Sequence, residues 1–358
     1  MAGLPHFYYH PRMLAYDFGP QHPLKPVRLE RTIACTKALY PWLQCIEPGY
    51  ASEEDVLLVH DEDYLEFVLE LTEHGTAVPE ELFGRGFSTH DTPPFPGIYQ
   101  AALAYSAGSA RAAKDVCEGA MLAINAGGGL HHAQRYRASG FCVFNDPAMA
   151  CAILKQKFNR VMYVDIDLHH GDGVQAIFLD DPDVITFSIH ETGRVLYPGT
   201  GFIQERGAGM SVINVPLEPG TTGDLWLQAF TEVFRRAVDV LKPEAFVLQM
   251  GCDPHRTDPL GHLECDVQSW LGAVKEVRDV GLPIVAMSGG GYDIANVPRM
   301  WSAAFLTLGR LEVPARMPDK IPVEWGCREI FDPPLGPGQS HGHESVETII
   351  DYWSEVLR

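Results

Sequence analysis

Residues 160–173 read RVMYVDIDLHHGDG, and the reading of this stretch decides the fold. Taken as an extended strand with a period of two, it turns Asp165, Asp167 and His169 to one face and Ile166 and Leu168 to the other. Ionisable groups in the core of a sheet are costly unless they are paired or bind a cation. The stretch therefore predicts a buried strand whose tip carries ligands. Three other apolar runs end the same way. AMLAINAGG (120–128) leads into His131 and His132, AFVLQMGCD (245–253) ends at Asp253, and PIVAMSGGG (283–291) is followed by Tyr292. In open parallel α/β sheets, ligands bind just beyond the carboxyl ends of the strands. Four such ends predict one shared pocket with a single divalent metal, a proton shuttle and an oxyanion donor.

Outward from these runs, strand-like and helical patterns alternate. DVITFSIH (183–190) reads as a further strand. Helical periodicity covers 61–75, 97–119, 145–158, 224–243 and 267–281. Strands separated by helices imply βαβ units and a mostly parallel sheet. Long Pro/Gly-rich loops, GFSTHDTPPFPG (86–97) and YPGTGFIQERGAGM (197–210), fit functional loops at strand ends. No internal repeat or long linker interrupts residues 1–358, which read as one domain. DPPLGPGQSHGHES (332–345) reads as an irregular surface segment before a short final helix, with His341 and His343 solvated and not metal-bound.

The bulk composition narrows the partners. The chain has 358 residues and a formal net charge of −20, which argues against nucleic acid and acidic membrane surfaces. Acidic patches favour cationic or Lys-rich ligands. No apolar run reaches membrane-spanning length, and the first residues lack a signal-peptide pattern. The eight cysteines are scattered without a CxxC pair, as expected of reduced thiols in the cytoplasm. The oligomeric state is left open.

The polar tips specify the chemistry. Asp167, His169 and Asp253 supply two carboxylates and one imidazole, a set suited to catalytic Zn²⁺ or, alternatively, Fe²⁺. Adjacent residues in an extended chain diverge, so His131 and His132 suit proton transfer better than joint ligation of one ion. Asp165 and Asp172 remain as carboxylates that can fix the tautomer of each imidazole. His170 is the spare and reads as a packing or hydrogen-bonding residue. Tyr292, after three glycines, is positioned to stabilise an oxyanion. Neither glycine run matches a phosphate-binding fingerprint. Together these groups describe metal-assisted amide hydrolysis.

The motifs GGLHHA (128–133), SGFCVFND (139–146), VDIDLHHGDGVQ (164–175), YPGTG (197–201), INVPL (213–217), QMGCDPHRTDPLG (249–261) and SGGGYDIAN (288–296) resemble the zinc-dependent histone deacetylase family. The closest resemblance is to its bacterial acetoin-utilization type, which looks like the class I enzymes. The match runs from PQHPLKPVRLERT at about residue 20 to about residue 310, leaving 311–358 as a C-terminal extension. It implies the arginase–deacetylase α/β fold, a central eight-stranded parallel sheet with helices on both faces. The activity implied is removal of acetyl from Nε-acetyl-lysine of proteins or peptides.

The same resemblance implies roles for individual residues. Asp167, His169 and Asp253 would be the metal ligands, His132 the general base and then acid, and His131 an electrostatic support. Tyr292 would be the oxyanion tyrosine. Phe141 and Tyr197 would wall an acyl-lysine tunnel, Gly140 would accept the substrate amide N–H, Asp91 would grip the substrate backbone, and Arg28 would lie beneath the site near the acetate exit. A structural K⁺ or Na⁺ site would use carbonyls of Asp165, Asp167, His169 and Ile189 with side chains of Asp167 and Ser188. A second would lie near Phe178, Asp181 and Val184. Two departures stand out. Most members have Phe at the position of Tyr197, and Pro254 and His255 follow Asp253, where they are expected to reshape the rim.

Three rival readings are weighed. An acetylpolyamine deacetylase would favour an acidic gatekeeper where this chain has Leu260. A non-catalytic acyl-lysine-binding protein would not need the full catalytic set. Arginase chemistry would need a second metal and other Asp-rich motifs.

Overall fold

The computed structural model describes residues 3–74, 79–87, 90–333 and 342–358. Its strands are β1 (Phe7–Tyr8), β2 (Leu122–Asn125), β3 (Val161–Asp165), β4 (Val184–Glu191), β5 (Val212–Leu217), β6 (Ala245–Gln249) and β7 (Ile284–Met287). They form one seven-stranded sheet in the order β1-β2-β7-β6-β3-β4-β5, with every neighbouring pair parallel. Strands covered on both faces become continuous apolar runs, and β3, β4, β5, β6 and β7 are buried throughout.

Two layers cover the sheet. Its helices are α1 (Val27–Leu39), α2 (Glu53–Leu57), α3 (Glu62–His74), α4 (Pro79–Gly84), α5 (Ile98–Cys117), α6 (Asp146–Leu154), α7 (Asp172–Ile177), α8 (Gly223–Leu241), α9 (Val267–Asp279), α10 (Val297–Leu308) and α11 (His343–Val356). The alternation along β3 divides the core. Met162 and Val164, followed by Ile166 and Leu168, pack with α1, α8, α9, α10 and α11. Val161 and Tyr163 pack with α3, α5 and α6 on the other side. Helix α8 shows why such segments dock: Leu225, Trp226, Ala229, Phe230, Val233, Phe234 and Ala237 form one buried stripe. After residue 311 the chain returns across the first layer, and the Trp353 indole N–H of α11 donates to the Asn214 carbonyl of β5 at 2.9 Å.

The structure corrects two expectations of detail. Among the described residues the sheet has seven strands where eight were expected. The eighth position, beside β1, holds a single parallel bridge between Tyr8 and Ile46. Ile46 donates to the Phe7 carbonyl and accepts from Tyr9, but the next donor in that ladder would be residue 48, a proline without an N–H. The strand in 160–168 is also shorter than its alternation suggests. It ends at Asp165, so Asp167 and His169 lie in the loop beyond it, although Ile166 and Leu168 keep to the apolar face. His343 begins α11 and pairs with Glu347 at 3.4 Å on the surface, whereas His341 lies outside the described residues. No helix among the described residues is long and apolar enough to cross a membrane.

Candidate active site

The carboxyl ends of β2, β7, β6 and β3 are contiguous in the sheet, so their polar tips converge. At the centre lie Asp167, His169 and Asp253, all buried, with one ligand atom from each within 4.8 Å of the others. His169 Nδ1 is 3.2 Å from Asp167 Oδ1 and 3.2 Å from Asp253 Oδ2. Burial opposes charge on His169, yet hydrogen bonds to Asp167 and Asp253 raise its pKa to about 10. Burial and the Asp167 charge push Asp253 up to about 7. The space between these carboxylates thus calls for positive charge, which a divalent cation would supply in place of the imidazole proton. The surrounding backbone leaves room for it. Gly290 donates its N–H to Asp167 Oδ2 at 2.9 Å, and a Cβ on Gly290 would collide with both carboxylates. The donor set and its cradle therefore fit a metal.

Both histidines of the pair are buried and each has its own carboxylate. His131 Nδ1 is 2.7 Å from Asp165 Oδ2, and His132 Nδ1 is 2.6 Å from Asp172 Oδ1. Their Nε2 atoms approach to 3.0 Å. The two environments push the pKa values apart. For His131, burial disfavours charge but Asp165 and Asp167 outweigh it, raising the pKa to about 9. For His132, burial and the neighbouring His131 charge win, lowering it to about 4. His132 is the one that faces the cavity.

That cavity encloses about 230 Å³ and is lined by Asp91, His132, Gly140, Phe141, His169, Leu196, Tyr197, Leu260 and Tyr292. Gly140 turns the wall with φ +49°, a left-handed conformation, and its Cα faces the His132 ring. The Phe141 and Tyr292 rings meet edge to face at 5.7 Å, as do His132 and Tyr197 at 5.0 Å. The Tyr197 hydroxyl is held by Ser139 Oγ at 2.5 Å. Burial, then the charges of Asp253 and Asp167, push the Tyr292 phenol well above its usual range, so it is a neutral donor. Below the cavity, Arg28 donates to the carbonyls of Gly289 and Gly291, both at 2.9 Å, and its guanidinium lies 5.8 Å from the Tyr292 ring centre.

The remaining sequence-derived positions fall elsewhere. His170 is buried and hydrogen-bonded to Thr200 and Gln175, outside the cavity lining. Asp165 and Ser188 are register partners across β3 and β4, and Ser188 Oγ lies 2.8 Å from His190 Nδ1. Ile189 follows in β4. Phe178, Asp181 and Val184 form a turn in which Asp181 N–H donates to the Phe178 carbonyl at 3.0 Å and Val184 N–H to the Asp181 carbonyl at 3.4 Å. The Asp181 side chain pairs with Lys155. The expectation that Pro254 and His255 reshape the rim does not hold. Both are buried and neither lines the cavity, because His255 turns away to Asp332.

Several supporting residues had escaped the sequence reading. Gln249 donates to Asp167 Oδ2 at 2.7 Å and to the Gly129 carbonyl at 3.0 Å. Tyr163 donates to Asp165 Oδ2 at 2.6 Å. Asp258 accepts the Tyr292 N–H at 2.7 Å. For Gln249 and Tyr163 the signal was a lone polar side chain inside an apolar run, and for Asp258 there was none. Asn145 donates to the carbonyls of His131 and Ala133, and its own N–H donates to His60 Nε2 at 2.9 Å. That bond needs a neutral His60, and burial lowers its pKa to about 4. Because the unfolded chain takes up this proton near pH 6.5, stability is full above that value and is lost as pH falls toward 4. Urea midpoints measured from pH 7 to pH 4 should fall, and less steeply in His60→Gln. An equal fall in both proteins would remove His60 from this account.

A parallel sheet that gathers a buried Asp-His-Asp set, two carboxylate-backed imidazoles and a neutral phenol at one slot defines a metal-dependent amidohydrolase. The comparisons carry this further. A family model described as the histone deacetylase domain matches residues 22–308. The chain is 39% identical over 332 residues to the acetoin utilization protein AcuC of Bacillus subtilis, covering 89% of this chain and 86% of that one. It is 37% identical over 296 residues to the histone deacetylase clr6 of Schizosaccharomyces pombe, covering 80% and 72%. The crystal structure of an HDAC homolog complexed with SAHA superposes with a TM-score of 0.88 at 26% identity, covering 98% of this chain and all of that one. The chain belongs to the histone deacetylase family. It is accordingly a hydrolytic deacetylase, and the family implies a catalytic metal.

Proposed function

We propose that the protein removes acetyl groups from Nε-acetyl-lysine side chains of proteins or peptides, releasing acetate. The observation that carries this reading is the slot itself. Its aromatic and aliphatic walls, Phe141, Tyr197, Leu196 and Leu260, lead to His132, His169 and Tyr292. Four methylenes fit such walls, and the amide would then reach the polar end. Leu260 offers no acidic group to a second amine, which favours lysine over an acetylated polyamine. That a homolog binds SAHA, a substrate mimic, supports an acyl-lysine-like ligand here.

Asp167, His169 and Asp253 would hold the metal, with Zn²⁺ favoured and Fe²⁺ the alternative. When bound, it supplies Lewis acidity toward the acyl carbonyl and toward water. His132 Nε2 would take a proton as water adds to the carbonyl carbon, and would return it to the departing lysine nitrogen. Asp172 would hold the opposite ring nitrogen in its protonated form. His131 would keep a positive charge beside the developing oxyanion, and Tyr292 would donate a hydrogen bond to it. Gly140 would accept the substrate amide N–H, Asp91 would grip the substrate backbone, and Arg28 would stand at the acetate exit. In the same reading, Asp165, Asp167, His169, Ser188 and Ile189 would surround a structural K⁺ or Na⁺, and Phe178, Asp181 and Val184 a second. Residues 1–358 would then be one deacetylase domain, with 311–358 as an extension packed on it.

Turnover of acetyl-lysine peptides against acetylputrescine and acetylspermidine tests the substrate. Peptide turnover should exceed polyamine turnover, and the reverse ranking would replace lysine by polyamine. Tyr292→Phe tests the chemistry. It keeps the ring packed between Phe141 and Arg28 and removes the hydroxyl. Losing one oxyanion donor costs about 10²–10³-fold in kcat. KM and metal content should stay near those of the unmodified protein, because the bond forms chiefly in the transition state. A near-normal kcat with metal bound would make Tyr292 a structural residue at a glycine turn.

A further inference from the structure

We infer that Asp332, in the C-terminal extension beyond the matched domain, is a positioning residue for the hydrolysis, acting through His255 and Thr257 on the loop of Asp253 and the turn of Tyr292. The inference rests on the deacetylase reading above. Asp332 is nearly buried and is clamped on every side. Its Oδ2 accepts from His255 Nε2 at 2.8 Å and from the Val267 N–H at 2.9 Å, and its Oδ1 accepts from Arg299 at 2.7 Å. Its own N–H donates to Gln268 Oε1 at 2.9 Å, and its carbonyl accepts from Gln268 Nε2 at 2.7 Å. Arg299 is fixed in turn by Asn296 at the start of α10 and by the carbonyls of Glu329 and Ile330. Burial opposes charge on Asp332, but the bonds from His255, Val267 and Arg299 hold its carboxyl well below the usual range.

The clamp continues toward the chemistry. The His255 side chain is fully buried, two residues after Asp253. The Thr257 N–H donates to its Nδ1 at 3.2 Å, which leaves the ring proton on Nε2 to point at Asp332. Arg299, bonded to the same carboxylate, lies 3.3 Å from that nitrogen. The Thr257 hydroxyl then donates to Asp293 Oδ2 at 2.5 Å, next to Tyr292, and Asp258 accepts the Tyr292 N–H. One short loop, 253–258, therefore sets both Asp253 and Tyr292, and its outer anchor is a residue of the extension. A buried carboxylate with this many donors resists displacement, since freeing it would strand charged partners. An ångström of drift at a reacting group can cost about a hundredfold in rate. That gives the extension a task in turnover beyond covering the sheet.

The full-length protein with metal bound provides the test. Asp332→Asn keeps the shape of the side chain but offers an amide to His255 and Arg299. It should lower kcat by about ten- to a hundredfold with KM within about threefold and metal content unchanged. Combined with His255→Gln it should lose little more, because the two act in series. Thr257→Val leaves the Asp332 carboxylate and all its donors in place, and removes the hydroxyl that touches His255 Nδ1 at 3.0 Å and Asp293 Oδ2 at 2.5 Å. It should show the same split between kcat and KM, on the order of fivefold, with an unchanged Tm. This variant decides the matter if Asp332→Asn does not fold. If both retain kcat within twofold, or raise KM alone, the clamp merely anchors the extension and the inference is overturned. An unmodified protein inactive on every acetylated amide would overturn the deacetylase reading instead.

Discussion

Asp253→Ala is expected to yield a folded chain with no bound transition metal and no measurable turnover. Asp253 is one of three buried donors, and the other two cannot close a tetrahedral site without it. The fold should survive for an electrostatic reason. Asp253 and Asp167 are two carboxylates in one buried pocket, and burial together with Asp167 already pushes Asp253 up to about 7. Removing one of them relieves like-charge repulsion, at the cost of the bonds from the Leu168 N–H at 2.9 Å and His169 Nδ1 at 3.2 Å. Elemental analysis should find one metal per unmodified chain and none in the variant. Added Zn²⁺ should raise the Tm of the first and leave that of the second unchanged, since only a folded site gains from mass action. A variant that keeps stoichiometric metal and turnover would remove Asp253 from the ligand set. Two catalytic metals per unmodified chain would point to an arginase-like centre.

Much of this arrangement was legible in the sequence because burial on both faces writes parallel strands as apolar runs with sharp polar ends. The tips at His131, Asp167, Asp253 and Tyr292 could be read on that basis alone, before any pairing was known. What escaped the reading has equally physical causes. Strand β1 has two residues and no periodicity, so only pairing with β2 reveals it. Strand β5 contains Pro216, which sits on the sheet edge where a missing donor is tolerated, but which demotes the segment when read in isolation. The alternation in 160–168 continued past the true strand end because Ile166 and Leu168 still face the core from irregular backbone. Gln249 and Asp258 act through contacts with residues far along the chain, at Asp167 and Tyr292, and no local pattern encodes such contacts. His255 was read as part of the rim because it follows Asp253. Its real partner, Asp332, is remote in sequence, so proximity along the chain was the wrong guide.

His132→Ala should lower kcat more than His131→Ala, although the two residues are adjacent and their rings nearly touch. General acid–base catalysis contributes about 10²–10⁴-fold, and only His132 faces the cavity in a form able to take a proton. Burial and the His131 charge hold His132 at about 4, so it is neutral at pH 7 and has a lone pair free to take a proton. Asp165 and Asp167 overcome burial to hold His131 at about 9, so it is already charged there. The pH profile separates these roles. The acid limb of kcat/KM reports protonation of the base in the free enzyme. In His131→Ala the positive neighbour is gone, the His132 pKa rises, and the acid limb should move to higher pH while the activity above it is partly retained. In His132→Ala that limb should disappear with most of the rate. Asp172, 2.6 Å from His132 Nδ1, offers a control: Asp172→Asn should lower kcat without abolishing it, by weakening the hold on the ring tautomer. Equal losses from the two histidine variants, or a larger loss from His131→Ala, would exchange their roles and make the inner imidazole the proton carrier.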